Sequence, residues 1–241
     1  MTLFEFIKTI ALTTFLLYLI PFFSESIKKQ YLPLVEPHTP IAIIKIKDNL
    51  YCSHDIMHQL HHFFKKPTIK GIVMKIDCSD SAVGTAQILF HTIRQLKQEF
   101  PKPIIALIEN SCLAGAYLVA SACDYIIAPE SALIGNIGPN SNETILKKIN
   151  SINEHNRESI ESDTYQQLTK HIALSRKLSL TTIHNWGNGK IFTANQALAI
   201  GLINETGAMH TVIKTIKERA LIEDEIELIE QKVLSLPKMY S

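Results

Sequence analysis

Mostly apolar runs of strand length alternate with amphipathic helical segments through the first half of this chain. The runs are "IAIIKIK" (residues 41–47), "IKGIVMKID" and "KPIIALIE". The segments "SHDIMHQLHHFFKK" and "TAQILFHTIRQLKQEF", with apolar residues at helical spacing, lie between them. Strands covered on both faces need not alternate, and a helix between two strands implies a parallel crossover. The sequence therefore predicts an α/β domain, a parallel sheet flanked by helices.

The second half of the chain is more helical. Helices are expected in "TYQQLTKHIALSRKLS", "LTTIHNW" and "AMHTVIKTIKERALI". Between the last two, "KIFTANQALAIGLINETG" predicts a short strand, a helix and a turn at Gly207. The tail "EDEIELIEQKVL" fits a strand or a helix. We therefore expect the α/β domain to occupy residues 41–221, followed by a C-terminal tail over 222–241.

The N-terminal segment is apolar enough to enter a membrane. Its uninterrupted core, residues 9–23, has about 15 residues where a span needs roughly 20, but residues 3–8 supply the missing length. A removed secretory signal and a buried core helix are the alternatives. No A-x-A cleavage pattern follows Phe23, so an uncleaved anchor over 1–23 and a proline-containing linker over 24–40 are expected. Lysines flank both ends, so the positive-inside rule barely discriminates the orientation.

Charge, cysteine and histidine patterns narrow the function classes. A formal net charge of +1 argues against a nucleic-acid partner. The cysteines have no zinc-site spacing and are expected to be buried free thiols. A histidine-rich helix face could hold Zn²⁺ or Cu²⁺, but a polar surface is the preferred interpretation, with no metal or cofactor expected. Its members are His54, His58, His61 and His62.

Four motifs in a fixed order carry a resemblance to a known family. They are "IKGIVMKIDCSDSAV", "KPIIALIENSCLAGAYLVASACDYIIA", "SALIGNIG" and "SRKLSLTTIHNWGNGKIFTANQALAIGLINETG". Together with the N-terminal segment, they resemble the signal peptide peptidase A family of membrane-anchored serine peptidases. The resemblance implies a Clp protease/crotonase-like fold with repeated β-β-α units, an extracytoplasmic domain and an oligomer. The crotonase branch, which acts on acyl-CoA, matches "SCLAGAYLVASACD" nearly as well and is the rival.

The family's chemistry, as the resemblance implies it, uses a serine nucleophile and a lysine base of depressed pKa. Tyr117 and Asp124 match the family's spacing without a gap, and in that register the nucleophile position is Ala114. Ser111 and Cys112 remain as fallback nucleophiles, expected in the turn before it. Ser121 coincides with a non-catalytic serine of the family.

The base and the oxyanion side also depart from the family pattern. The segment that should carry the lysine is short and lacks the family's G-x-Y-K pattern. Its lysines are Lys147, Lys148 and Lys170, of which Lys170 lies nearest the expected distance. The family's S-P-G-G-S aligns with "CSDSA", which places Asp80 and Ser81 where glycines admit substrate.

Three further glycines belong to the expected oxyanion or substrate-binding region. Gly115 follows the nucleophile position, and Gly135 and Gly138 lie in "IGNIG". The last two could bring backbone close to a bound chain or could serve a tight turn. With nucleophile, base and oxyanion glycines all altered, we expect a membrane-associated peptidase homologue without Ser/Lys activity. The alternatives are a peptide-binding or oligomer subunit and an acyl-CoA-binding enzyme.

Overall fold

The structure, a computed structural model, describes residues 38–139 and 153–230 together with Glu5 and residues 13–15. The chain divides into two compact units, Met1–His38 and Thr39–Ser241. Most of the expected anchor and linker, and both Lys147 and Lys148, lie outside the described residues. No helix among those residues combines the length and apolarity of a membrane span.

The second unit is built on an eight-stranded sheet in which β1, β2 and β3 form the centre. The order along the main path is β6-β5-β3-β2-β1-β8, and β4 pairs with β3 and β7 beside it. All pairings are parallel except that of β5 with β6. The strands are β1 (Thr39–Leu50), β2 (Gly71–Ser81), β3 (Ile104–Leu113), β4 (Tyr125–Ala128), β5 (Leu133–Gly135), β6 (Ile191–Thr193), β7 (Glu205–Thr206) and β8 (Ile226–Glu230).

Helices connect these strands as the alternating pattern predicts, and they cover both faces of the sheet. A 3-10 turn at Leu180–Thr182 precedes the fifth helix. The α/β class with a parallel sheet is therefore confirmed. The helices are α1 (His54–Lys65), α2 (Val83–Glu99), α3 (Gly115–Ser121), α4 (Glu154–Arg176), α5 (Ile183–Trp186), α6 (Ala194–Ala199) and α7 (Met209–Ala220).

Alternate residues of the central strands enter two separate apolar layers. In β3, Ile104, Ala106 and Ile108 join the larger core beneath α1, α2 and α3. Ile105 and Leu107 join a smaller core that includes Val212 and Ile216 of α7. Because both faces are covered, the strands need no polar side, which explains their continuous apolar runs.

Strand structure extends beyond the sequence prediction at the end of β3 and in the C-terminal tail. Ser111 and Cys112 were expected in a turn, but they belong to β3 and pair with Leu133 and Ile134 of β5. The partner that makes this segment a strand is distant along the chain, so local spacing does not reveal it. The C-terminal tail, which the sequence left open, forms β8 beside β1.

Several residues of the family-like motifs hold elements together. Asp124 accepts a hydrogen bond from the Ile104 N–H (2.9 Å) and forms an ion pair with Lys97 (2.6 Å). Arg176, at the end of α4, donates to the Gly201 carbonyl (3.1 and 3.2 Å) and to Asn204 Oδ1 (2.8 Å). The bonds join α4 to the segment before β7, which shows a structural role for this arginine.

His171 of α4 packs against α2. Its ring centroid lies 5.0 Å from that of Phe90 and 5.1 Å from that of His91. Burial lowers the pKa of His171, and His91, Arg94 and Lys170 lower it further. The neutral imidazole is therefore the form that fits this interface.

We predict that acid weakens the fold through His171. Because folding lowers the pKa of His171, the unfolded chain binds the proton more tightly. The stabilisation is complete above the ordinary value of 6.5 and is lost as the pH falls below it. In urea unfolding between pH 8 and about 5, His171→Gln should flatten the pH slope, because glutamine does not titrate. His184→Gln, at an exposed position, is the control. Equal slopes in the wild type and His171→Gln would contradict the assignment.

Candidate active site

Ala114 forms a strained turn between β3 and α3. Its backbone has φ 51° and ψ −120°, a conformation that side chains disfavour and glycine tolerates. Its side chain is buried, and its N–H donates to the Gly135 carbonyl at 2.8 Å. A strained strand-to-helix turn is how hydrolases of several folds present a nucleophile. The turn therefore has the backbone of a nucleophile site, but its methyl group has no nucleophilic atom.

The first turn of α3 is closed by Ser81 at the end of β2. The Ser81 hydroxyl, which is buried, accepts a hydrogen bond from the Ala116 N–H at 3.2 Å. A Cβ at Gly115 would lie 2.8 Å from that hydroxyl and 2.9 Å from the Ala86 methyl. Gly115 is thus needed for the close approach of α3 to Ser81, independently of any substrate.

The backbone donors of this turn are mostly engaged. The N–H groups of Tyr117 and Leu118 both donate to the Ala114 carbonyl, at 3.1 and 3.3 Å. Among the hydrogen bonds of the described residues, none uses the Gly115 N–H. An oxyanion site needs preorganised N–H donors. Here one candidate donor, the Ala116 N–H, is already bound to the Ser81 hydroxyl.

Asp80 is held by a neighbouring strand. The Tyr51 hydroxyl, just after β1, donates to the Asp80 carboxylate. The Cys78 thiol donates to the Asp80 carbonyl at 3.2 Å. A carboxylate is thus fixed in the segment that aligns with the family's glycines, where negative charge opposes a developing oxyanion.

Ser111 is bound to a carboxylate, and no lysine of the described residues is hydrogen-bonded to it. Its hydroxyl and its N–H both donate to Asp77 Oδ1, at 3.1 and 3.2 Å. Asn110 donates to the other Asp77 oxygen at 2.7 Å. These bonds tie the ends of β2 and β3 together. Asp77 and Tyr51 are not among the site residues that the sequence predicts. Asp77 does carry a signal, because a polar residue near the end of a buried strand marks the end of the sheet where parallel strands finish together.

Cys112 and Cys78 lie in an environment that disfavours the reactive thiolate. They are paired in register across β2 and β3, and both are fully buried and free. Burial raises the pKa of Cys112 well above its ordinary value, and burial raises that of Cys78 to about 11. Since the thiolate is the nucleophilic form, Cys112 is poorly suited to attack a peptide.

Lys170 does not complete a dyad with either fallback residue. It is exposed on α4, and among the described residues no hydrogen bond or ion pair joins it to Ser111 or Cys112. Lys147 and Lys148 lie outside the described residues. The structure therefore brings Ala114, Ser81 and Gly115 together but does not connect Lys170 to them.

Gly135 and Gly138 are explained by backbone packing. Gly135 has φ 122°, and a Cβ there would lie 2.5 Å from the Lys190 carbonyl. A Cβ at Gly138 would lie 2.6 Å from the Gly189 Cα. Both glycines let the loop after β5 pass against residues 188–190. Neither conformation requires a bound chain.

The histidines of α1 lie on its exposed side. His54, His58, His61 and His62 are all exposed. Within the described part of the chain, no group of three or more histidine, cysteine or acidic side chains is placed to hold a metal ion.

Sequence comparison finds relatives among peptidases. The model of peptidase family S49 matches residues 96–151 and 143–223, together more than half of the chain. The chloroplastic serine protease SPPA of Arabidopsis thaliana is 23% identical over 203 residues, covering 71% of this chain and 30% of that protein. Protease 4 of Haemophilus influenzae is 24% identical over 172 residues, covering 61% and 28%. Against MJ0651 of Methanocaldococcus jannaschii the identity is 22% over 192 residues, and this chain spans 61% of that protein.

Structural comparison finds the same fold class. An enoyl-CoA hydratase/isomerase family member matches with a TM-score of 0.50 and 17% identity, covering 73% of this chain and 72% of that one. At this identity the likeness concerns the fold alone, which is crotonase-like.

The strain at Ala114 predicts an unusual response to glycine. Ala114→Gly should change the free energy of unfolding by less than about 1 kcal/mol or raise it, because relief of 1–3 kcal/mol of strain offsets the added chain entropy. Ala116→Gly, one position into α3, should cost about 1 kcal/mol or more. Chemical denaturation of both variants measures the difference. A larger loss at Ala114 than at Ala116 would show that the turn is not strained.

The closure of α3 by Ser81 predicts a second effect. Ser81→Ala removes the acceptor of the Ala116 N–H and should lower the free energy of unfolding by about 1 kcal/mol. Ser162→Ala, at an exposed position of α4, should change it by less than about 0.5 kcal/mol. Indistinguishable unfolding of the two variants would rule out a stabilising role for the Ser81 hydroxyl.

Proposed function

Because this chain belongs to peptidase family S49, the signal peptide peptidase A type, we propose that it is a membrane-anchored member that binds peptides without cutting them. The observation that carries the proposal is the Ala114 turn. Its backbone keeps the strained shape of a nucleophile turn, yet the residue is alanine. The protease-like ancestry is thus preserved in the scaffold, while the reacting atom is missing.

The residues that match the family's motifs contribute to the framework of the domain. Tyr117 donates its hydroxyl to the Leu202 carbonyl at 2.6 Å inside the core. Asp124 and Arg176 make the structural bonds described above. Each of these residues stabilises the domain. Ala114, Asp80 and Ser81 differ from the family at positions that the family's chemistry uses.

The surroundings of the fallback nucleophiles also favour inactivity. General-base activation requires the base within hydrogen-bond reach of the nucleophile. Ser111 contacts Asp77, and Cys112 is buried with a raised pKa. Lys170 lies exposed on α4. The contacts of Ser111, Cys112 and Lys170 therefore do not pair either nucleophile with the lysine.

The apolar segment over residues 3–23 supports the anchoring part of the proposal. In length and composition it suits an uncleaved anchor, and the family resemblance favours an extracytoplasmic domain. Peptides near a membrane, or unfolded chains, are the ligands we propose.

We also propose that the chain assembles with copies of itself or with homologues. Leu133 of β5 and Ile191 of β6 are both substantially exposed, at 44% and 49%. They lie on the paired strands at one end of the sheet, where β6 forms the edge. An apolar edge of this kind suits burial against another subunit.

The enoyl-CoA hydratase likeness does not carry a second function. It covers the fold, and the described residues include no feature that we connect with acyl-CoA. Saturable binding of an acyl-CoA by the purified chain would nevertheless overturn the peptide assignment in favour of the crotonase branch.

The proposal predicts capture without cleavage. The full chain in detergent should show saturable binding of a fluorescent unfolded peptide by anisotropy, with no new fragments by mass spectrometry. Ala114→Ser should also be inactive, because restoring the hydroxyl supplies no base.

Matched variants separate the alternatives. Ser111→Ala, Cys112→Ala and Lys170→Ala should leave binding and the absence of cleavage unchanged. Cleavage by the wild type that is lost in Lys170→Ala and in one of the other two would refute the inactive assignment. Absence of any peptide binding would refute the binding assignment.

A further inference from the structure

The central strands begin at one edge of the sheet, opposite the Ala114 turn. Ile41 of β1 pairs with Gly71 of β2, and Ile72 of β2 pairs with Ile104 of β3. Because these strands are parallel, the segments that lead into them share this edge, while Ala114 follows the other end of β3. Lys65, Lys66, Lys70 and Lys102 lie at this end of the sheet. We call it the entry edge, because the central strands begin there.

Lysines collect on the entry edge because each ends or precedes a core element. Lys65 and Lys66 close α1, and both are exposed, as is Lys70. The Lys70 N–H donates to the Pro40 carbonyl at 3.1 Å, which fixes it next to β1. Lys102 Nζ donates to the carbonyls of Phe63 (3.1 Å) and Lys66 (2.5 Å) at the end of α1. Burial lowers the pKa of Lys102, and the nearby Lys70 lowers it further.

The surface beside these lysines contains a depression that is lined by histidines and lysines and by no acidic residue. A shallow depression of about 390 Å³ is lined by His58, His61, His62, Lys65 and Lys66. The acids at this end of the sheet lie outside that lining, and one of them, Glu99, ends α2 three residues before Lys102. Glu223, Asp224 and Glu225 precede β8 on the far side of β1, where Thr39 donates to the Glu225 carbonyl at 2.8 Å. Asp124 is paired with Lys97.

We propose that the entry edge docks on anionic lipid headgroups. The inference rests on the membrane association proposed above. Residues 24–38 separate Phe23 from Thr39, and such a tether reaches at most about 50 Å, so the domain stays near the surface that holds the anchor. The depression on the entry edge, which is lined by histidines and lysines, supplies the complementary charge. Each basic residue near an anionic surface strengthens attachment about fivefold. Docking would leave the Ala114 turn at the end of the sheet away from the bilayer.

The cysteines allow a direct measurement. Cys52 is exposed just after the C-terminal end of β1, and Cys78, Cys112 and Cys123 are buried. A fluorophore on Cys52 therefore reports the edge opposite the entry edge. A double variant moves the label to the entry edge: Cys52 is changed to Ser, and Thr68 is changed to Cys. Thr68 is exposed between Lys66 and Lys70, so the same label there reports the entry edge. The full chain is reconstituted into vesicles that carry a lipid-attached quencher, with or without about 30% phosphatidylserine.

Docking predicts stronger quenching of the label at residue 68 than at residue 52, only with phosphatidylserine and less at high salt. A triple variant with Lys65→Gln, Lys66→Gln and Lys70→Gln should dock less. The ratio of docked to undocked domains should fall about fivefold for each lysine removed. The control is a triple variant with Lys177→Gln, Lys190→Gln and Lys214→Gln. It removes the same charge from exposed positions elsewhere and should leave the ratio of docked to undocked domains unchanged. Equal quenching of the two labels on attached chain, or an equal effect of both triple variants, overturns the docking. A chain that attaches to neither vesicle type overturns the anchoring instead.

Discussion

The double pairing of β3 is the constraint on which the candidate site depends. On one side β3 pairs with β2 along its length, and on the other it pairs first with β4 and then with β5. The change from β4 to β5 brings the Gly135 carbonyl to the Ala114 N–H. Gly135 and Gly138 then pack against residues 188–190, which lead into β6. Without the β3–β5 pairing, the strained turn and the loop beside it would lose their shared support.

The sequence predicts the layers of this fold well because they follow local patterns. Continuous apolar runs and helical spacing locate the central strands and α1, α2 and α7. The register of Tyr117 and Asp124 also identifies Ala114 as the position to examine. What the sequence does not reveal depends on partners distant in the chain. Ser111 and Cys112 become strand through β5, the tail becomes strand through β1, and Ser81 acquires its role from the Ala116 N–H.

The same principle separates the two kinds of motif residue. Arg176 and Asp124 stabilise the domain through hydrogen bonds to distant backbone. Asp80 and Ser81 align with the two glycines of the family's motif. Tyr51 and the Ala116 N–H give these side chains structural partners. Substitutions that are unfavourable for hydrolysis are therefore compatible with folding.

The positive φ of Ala114 also has a genetic consequence. Every alanine codon is one nucleotide from a glycine codon, which would relax the turn, and one from a serine codon, which would restore a hydroxyl. The change to glycine and the change to serine each need a single nucleotide substitution. The residues that orthologous genes carry at this position therefore record which demand has acted on the turn. Glycine would remove the backbone strain, serine would supply a hydroxyl, and alanine does neither.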